Sequence, residues 1–271
     1  MSYYQPAPLT TWQIQLQYEV NENVEVSVFD IDLFDVNETQ IVSIQTQDRF
    51  VICYFSAGSY EDWRPDADDF DSSDIGNPLD GWPGEYWLDT NSINVRDIMS
   101  SRLDLAVSKG CDGVDPDNVE AYLADSGFSL TYEDQIDYNT FLATEAHSRN
   151  LFVCLKNDLS QLDDLSSLFD CAINEECMEY NECDYYANFS KTKAVFAIEY
   201  DVTDLDAACD VAATYNMSLL VKNYDLDDTR CDCSGNEETN IDCDNLLSSS
   251  STTTSIFLAV IIMSIMSLIH S

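Results

Sequence analysis

The prediction of the fold begins from the stretch Lys109-Gly-Cys-Asp-Gly-Val-Asp-Pro-Asp-Asn-Val-Glu120. Gly110 is typical of a helix C-cap, and we expect Pro116 to end a strand and preset the turn that follows it. The polar side chains at this change from strand to loop belong to Asp115, Asp117 and Asn118. In an α/β barrel the C-terminal ends of the strands form the catalytic rim. An ordinary Asp-Pro-Asp-Asn turn would use the same residues, so both interpretations stay open on this stretch alone.

Short apolar segments alternate with predicted helices along the rest of the chain. The predicted barrel strands cover residues 24–31, 50–55, 85–89, 113–114, 151–155, 169–173, 194–198 and 217–221, after a short first strand over 12–16. The predicted helices cover residues 38–47, 95–108, 133–148, 177–189 and 203–215. This order predicts an α/β fold, a single-domain (β/α)8 TIM barrel. A doubly wound open sheet is the alternative, but it would need a glycine-rich phosphate loop after the first strand, where Asp30-Ile-Asp-Leu33 has no glycine.

The two ends of the chain differ in composition from the barrel. We expect residues 1–10 to be disordered, 11–225 to form the barrel, 226–247 a short cysteine-rich C-terminal extension, and 248–271 a Ser/Thr spacer with an apolar tail. The apolar run over 256–269 is shorter than the about 20 residues that cross a bilayer. This pattern is typical of a GPI-anchor signal, although residues 1–6 show no matching leader pattern. It predicts an extracellular or cell-surface protein that contacts a membrane only through its tail or the lipid replacing it.

The charge balance is strongly acidic. The chain has 51 acidic and 11 basic residues, for a formal net charge of −40. Nucleic acid is excluded as a partner because phosphate binding needs basic patches. A cationic ligand would be attracted, although an acidic shell can also serve solubility alone.

Cysteines and glycosylation sequons indicate an oxidising compartment. There are ten cysteines, and the sequons begin at Asn37, Asn188 and Asn216. Cys53 and Cys154 lie inside apolar runs, where buried free thiols are one interpretation. Seven other cysteines are expected to form bridges, with their pairing open: Cys171, Cys177, Cys183, Cys209, Cys231, Cys233 and Cys243. A zinc site is disfavoured, since there is no Cys-x2-Cys pair and His147 is the one histidine outside the tail. No metal or cofactor is expected.

Acidic and amide side chains follow nearly every predicted strand. The same positions offer no Ser-His-Asp arrangement and no histidine-bound hydrolytic metal. Two carboxylates acting alone are sufficient for glycoside hydrolysis. Tryptophans could supply faces for sugar rings, although buried tryptophan is the commoner outcome.

Eight sequence blocks resemble glycoside hydrolase family 114, the endo-α-1,4-polygalactosaminidase-type enzymes with a (β/α)8 barrel. They are Trp12-Gln-Ile-Gln-Leu16, Cys53-Tyr-Phe-Ser-Ala-Gly-Ser59, Trp63-Arg-Pro-Asp66, Gly81-Trp-Pro-Gly-Glu-Tyr-Trp-Leu-Asp89, Gly110-Cys-Asp-Gly-Val-Asp-Pro-Asp-Asn118, Leu155-Lys-Asn-Asp158, Asn174-Glu-Glu-Cys177 and Ile198-Glu-Tyr200. The blocks run in order from about residue 11 to 223. The resemblance implies cleavage of α-1,4-linked polysaccharide containing galactosamine or N-acetylgalactosamine.

The resemblance also implies which residues act. The aspartate of its Pro-Asp-Asn element falls on Asp117 as nucleophile, and the glutamate of its Asn-Glu-x-Cys element falls on Glu175 as acid/base. The expected substrate-binding residues, from the rim positions and the blocks together, are Trp12, Asp30, Asp32, Ser56, Glu61, Arg64, Trp82, Asp89, Asp115, Asn118, Lys156, Asn157 and Glu199. We expect an endo-acting monomer.

Asp117 and Glu175 follow the fourth and sixth predicted strands, so we expect them to face each other across the mouth. Retention requires carboxyl groups about 5–5.5 Å apart, and inversion about 6.5–9.5 Å. We expect retention, with Asn118, Lys156 or Asn157 keeping Asp117 ionised. A hydrolase of another α-linked sugar, a non-catalytic sugar-binding surface protein and a structural wall protein are the alternatives.

Overall fold

The computed structural model describes residues 3–235 and 240–249. Its strands are β1 (Trp12–Gln15), β2 (Val28–Asp32), β3 (Phe50–Ser56), β4 (Ser59–Glu61), β5 (Ile75–Pro78), β6 (Glu85–Leu88), β7 (Gly113–Asp117), β8 (Phe152–Lys156), β9 (Cys171–Glu175), β10 (Ala194–Glu199), β11 (Ser218–Val221) and β12 (Cys231–Asp232). Its α-helices are α1 (Glu38–Gln45), α2 (Ile93–Lys109), α3 (Tyr132–Ser148), α4 (Leu162–Leu165), α5 (Leu205–Thr214) and α6 (Cys243–Ser249).

Eight parallel strands form the curled sheet of a TIM-like barrel. The sheet order is β1-β2-β3-β7-β8-β9-β10-β11-β12, with β12 antiparallel to β11. The two ends meet where the Trp12 indole donates to the Ser218 carbonyl at 2.9 Å and the Leu16 amide donates to the Leu226 carbonyl at 2.9 Å. The predicted fold class is therefore confirmed.

The prediction that residues 85–89 form a barrel strand was wrong. Residues 85–88 form β6, which lies in a separate antiparallel sheet of order β4-β6-β5. Its partner β4 follows β3 after a turn, so Ser59 pairs with Trp87 and Glu61 with Glu85. The short strand at Trp12 takes the first place in the barrel instead. This sheet belongs to the loops at the C-terminal ends of the barrel strands.

The helix predicted over 177–189 was also wrong. This segment holds only 3-10 turns, at Cys183–Ala187 and Phe189–Lys191. The Cys177–Cys183 disulfide closes a loop with a sequence separation of 6. The Asn174 side chain accepts a hydrogen bond from the Cys177 amide, and this contact holds the turn directly after β9.

The core has an inner and an outer layer, because strand residues alternate between the barrel interior and the helices. The interior cluster consists of Trp12, Ile14, Val28, Ile52, Phe152, Cys154, Cys171, Ile173, Ala194, Phe196, Ile198 and Leu220. The outer cluster joins the other strand faces to the helices. A plug of apolar side chains therefore lies below the mouth of the barrel.

All ten cysteines are paired. The disulfides are Cys53–Cys111, Cys154–Cys171, Cys177–Cys183, Cys209–Cys233 and Cys231–Cys243. The interpretation of Cys53 and Cys154 as buried free thiols is therefore wrong. Two bridges hold the cysteine-rich extension, one of them to α5.

The N-terminal segment is ordered from Tyr3 onward, contrary to the expectation for residues 1–10. Tyr4 stacks on Phe50 with ring centroids 3.5 Å apart, and Gln5 donates to Asp170 at 2.9 Å. Most of the predicted Ser/Thr spacer and apolar tail, residues 250–271, lies outside the described residues. Within the described part, no helix has the length and hydropathy needed to cross a membrane.

A substitution at Gly113 tests the packing of the barrel interior. A Cβ at this position would lie 2.5 Å from the Phe152 ring. We expect Gly113→Ala to lower the free energy of unfolding by about 1–3 kcal/mol through overpacking. Urea unfolding of Gly113→Ala, Phe152→Leu and the double variant measures this. The double variant should lose less than the two single variants together, whereas full additivity would contradict the contact.

Candidate active site

Three charged side chains meet at the C-terminal ends of neighbouring strands. Asp117 ends β7, Lys156 ends β8 and Glu175 ends β9. The Lys156 ammonium lies 3.0 Å from Asp117 Oδ1 and 2.9 Å from Glu175 Oε2. These two oxygens can therefore be no farther apart than the sum of those distances, 5.9 Å.

The backbone around Asp117 is fixed by the loop that follows β3. The amides of Ala57 and Gly58 both donate to the Asp117 carbonyl, at 2.8 and 3.0 Å. A Cβ on Gly58 would lie 1.7 Å from the Asn118 carbonyl oxygen, so glycine permits this close approach. Asn118 itself has a φ of 61° and directs its amide to Asp117 Oδ1 at 2.8 Å.

Asp117 receives three donors. The Tyr54 hydroxyl donates to Oδ2 at 2.8 Å, while Lys156 and the Asn118 amide reach Oδ1. Burial alone would raise the pKa of Asp117, but Lys156 and these hydrogen bonds hold it below its ordinary value. Asp117 is therefore an ionised carboxylate at neutral pH.

Hydrogen bonds hold both the carboxyl group and the backbone amide of Glu175. The Tyr200 hydroxyl donates to its Oε1, and its backbone amide donates to Asn157 Oδ1 at 3.0 Å. Tyr200 stacks on Tyr224 with centroids 4.3 Å apart. The Glu175 side chain is 25% exposed and that of Asp117 is 17% exposed, so both carboxyl groups are accessible from the mouth.

Lys156 is a buried cation, with its side chain 4% exposed. Burial would lower its pKa, but the charges of Asp117 and Glu175 raise it well above the ordinary value. Its ammonium therefore stays charged between two carboxyl groups.

A second charged cluster lies beside this group. Both oxygens of Asp32 accept from the Arg64 guanidinium, at 3.0 and 2.7 Å, and Glu61 accepts from it at 2.8 Å. Arg102 binds Asp66 and the Ser56 carbonyl. A buried ion-pair network therefore links three of the predicted residues, Asp32, Glu61 and Arg64.

The remaining predicted residues fall into two groups. Asp115, Asn118, Asn157, Ser56 and Asp30 lie near the three charged side chains. Asn118 Nδ2 donates to Ser56 Oγ at 3.0 Å, and the two aspartates are fully buried in the barrel interior.

The second group lies farther away. Trp12 is buried in the barrel interior, where its indole closes the sheet. Trp82 is 56% exposed in the long loop, and Asp89 accepts from the Asn91 amide before α2. Glu199 is buried and accepts from the Met178 amide at 2.8 Å.

Two tyrosines of the site were not predicted from the sequence. Tyr54 lies inside an apolar run and Tyr200 at the end of another, and only their hydroxyl contacts reveal their part in the site. The alternation of Ile52, Tyr54 and Ser56 on β3 could have placed Tyr54 on the inner face. Among the described residues, Cys177, Cys183 and Glu199 form the one grouping suited to a metal ion, but both sulfurs are in a disulfide.

Comparisons with known proteins identify the family and the fold. The profile of the glycoside-hydrolase family GH114 matches residues 1–238. The crystal structure of Aspergillus fumigatus Ega3 in complex with galactosamine is 45% identical, with a TM-score of 0.82, over 86% of this chain and 98% of that chain. The glycoside hydrolase domain of PelA from Pseudomonas aeruginosa shares the fold, with 11% identity and a TM-score of 0.64 over 83% of this chain and 98% of that chain. A search of curated proteins gives no match.

Buried acids should make stability depend on pH. Burial raises the pKa of Glu85 and Glu199 to about 7, and burial with the charge of Glu120 raises that of Asp158 to about 8. Between the ordinary pKa near 4 and these values, the folded protein keeps protons that the unfolded chain has released. We therefore expect the free energy of unfolding to fall as pH rises from about 5 to 8, by on the order of 1.4 kcal/mol per pH unit for each fully buried carboxyl.

Urea unfolding at several pH values measures this slope. Asp158→Asn removes one titrating group while it keeps an acceptor for Asn139, so its slope should be shallower. Stability that is constant or rises over this interval would contradict the burial of these acids in their neutral form.

Proposed function

The chain belongs to the glycoside-hydrolase family GH114, as its sequence blocks predicted, and is a glycoside hydrolase; from this premise we propose that it cleaves α-1,4-linked polysaccharide containing galactosamine. We propose further that it acts within the chain, as a monomer, and retains the anomeric configuration. The galactosamine bound to the 45% identical Ega3 supports the class of sugar.

One observation carries the proposed mechanism, the limit of 5.9 Å between Asp117 Oδ1 and Glu175 Oε2. It lies below the roughly 6.5–9.5 Å that an inverting enzyme needs to place a water beside the sugar, and it accommodates the roughly 5–5.5 Å of a retaining one. The separation therefore favours a double displacement.

Each residue has a role in that double displacement. Asp117 attacks the anomeric carbon, and the bond to the leaving oxygen breaks as Glu175 gives that oxygen a proton. Asp117 is then esterified to the sugar and Glu175 is ionised. Glu175 takes a proton from water, the water oxygen displaces Asp117 from the anomeric carbon, and both carboxyl groups return to their first state.

Lys156 fits this exchange because it contacts both carboxyl groups. Negative charge moves from Asp117 to Glu175 in the first step and back in the second. The ammonium lies within 3.0 Å of both oxygens, so each state keeps an anion beside a cation. Tyr54 and Tyr200 supply one further donor to each group.

The surroundings of the site favour a cationic substrate. The chain has a net charge of −40, and galactosamine units without acetyl groups carry ammonium groups that this field attracts. Exposed Trp63 and Trp82 lie in the loops at this end of the barrel, where they offer faces for sugar rings. An open, aromatic rim supports cleavage within long chains.

The disulfides support an extracellular location. Five bridges require an oxidising compartment, and with the GPI-like pattern of residues 248–271 they support a protein held at the cell surface.

Asp117→Asn tests the proposed nucleophile. We expect turnover of galactosaminogalactan to fall by a factor of about 10³ or more, because the amide cannot attack the anomeric carbon, while polymer binding persists. Product sizing measures turnover, and co-sedimentation with the polymer measures binding. Asp104→Asn, at an exposed position on α2, is the matched control and should keep full activity. An Asp117→Asn variant with unchanged turnover would refute the assignment, and a wild-type protein that cleaves only neutral α-galactans would refute the substrate class.

Salt tests the attraction between the acidic protein and a cationic polymer. Raising ionic strength from about 0.05 to 0.5 M shortens the Debye length from ~14 to ~4 Å. We expect KM to rise several-fold more for a deacetylated polymer than for its fully acetylated form. Equal salt effects on the two polymers would show that the ammonium groups contribute nothing to recognition.

A further inference from the structure

Two aspartates lie in the barrel interior directly beneath the three charged residues of the site. Asp30 is on β2 and Asp115 is on β7, two residues before Asp117, and both are 0% exposed. No N–H or O–H group of the described residues donates to any of their four carboxyl oxygens. The two carboxyl groups are within hydrogen-bonding reach of each other, and a hydrogen bond between them requires a proton.

This arrangement cannot hold two ionised groups. A buried carboxylate without donors is strongly destabilised, and a second one beside it adds repulsion. Burial, followed by the charge of Asp115, raises the pKa of Asp30 well above its ordinary value. Burial likewise raises the pKa of Asp115, although Lys156 opposes that shift.

The charged groups around the two aspartates indicate which side chain the pair influences. The charged groups with the largest effects on it are the Lys156 ammonium and the carboxyl groups of Asp117 and Glu175. Lys156 is in turn attracted by Asp117, Glu175 and Asp115. The ammonium thus has the two carboxyl groups of the site at its sides and the buried pair nearby.

We propose that Asp30 and Asp115 share one proton and act as a singly charged acid pair that positions the Lys156 ammonium between Asp117 and Glu175. Neither aspartate reaches the mouth, so both are positioning residues that act through Lys156. The consequence for turnover rests on the proposed function. As negative charge moves between Asp117 and Glu175, the pair keeps a fixed anion beneath the lysine, which prevents the ammonium from following the charge to one side.

The shared proton has a spectroscopic signature. We expect the infrared difference spectrum between the wild-type protein and Asp30→Asn at neutral pH to contain the carbonyl band of one protonated carboxyl group. The asparagine amide takes over the role of the protonated partner, so Asp115 is ionised in the variant and the band disappears. A difference spectrum without an acid carbonyl band would overturn the shared proton.

Kinetics test the positioning role. Asp30→Asn keeps one donor and one negative charge in the pair, so its kcat should fall several-fold less than that of a variant in which both acids are replaced. The double variant Asp30→Asn, Asp115→Asn keeps the shape and the hydrogen bond but removes the charge, so kcat should fall at least tenfold with KM nearly unchanged. A double variant with wild-type kcat, or a single variant as impaired as the double one, would overturn the positioning role.

Two controls separate the possible failures. Thermal unfolding of each variant identifies loss of structure, and the infrared measurement on Asp30→Asn stands if the double variant does not fold. The infrared band does not depend on a substrate. A wild-type protein that leaves galactosaminogalactan intact would refute the proposed function. The infrared spectrum would still show whether the acid pair shares a proton.

Discussion

The contact of one buried ammonium with two carboxyl groups is the interaction on which the site depends. Lys156 at the end of β8 is almost fully buried, and a lone cation there would be strongly destabilised. Asp117 and Glu175 end the strands on either side of β8, so barrel geometry itself brings a carboxyl group to each flank of the lysine. The same contacts keep the two carboxyl groups close enough to act on one glycosidic bond.

The barrel supplies the environment that gives these groups different tasks. Directly below them lie Asp30 and Asp115, with the apolar plug beyond, and tyrosine hydroxyls donate to Asp117 and Glu175. Asp117 is stabilised as an anion by three donors, whereas Asp30 and Asp115 receive none from the described residues, which favours the proton that we propose they share. Carboxyl groups with identical chemistry thus differ in charge because of their hydrogen-bond partners. Beside the site, the Arg64 guanidinium forms ion pairs with both Asp32 and Glu61.

The sequence predicted the parts of the structure that follow local rules. Apolar runs became strands, α2 ends at Lys109 before Gly110, and residues after successive strands met at one rim. The place of β6 could not be predicted, because a half-buried strand has the same residue pattern in the barrel sheet and in the small antiparallel sheet. The segment after β9 is shaped by a disulfide and by side-chain contacts, and neither produces a periodic pattern in the sequence. Tyr54 and Tyr200 were missed for a related reason. An aromatic residue in an apolar run looks like core until its hydroxyl is seen to contact a distant carboxyl group.

The stereochemistry of the first product is the most direct test of the central claim, that Lys156 holds Asp117 and Glu175 at the separation of a double displacement. Proton NMR of the wild-type enzyme acting on α-1,4-linked galactosamine oligomers distinguishes the two anomers before they interconvert. We predict that the newly formed reducing end appears first as the α anomer. A β anomer as the first product would mean that water attacks directly, and it would contradict the role given to Asp117.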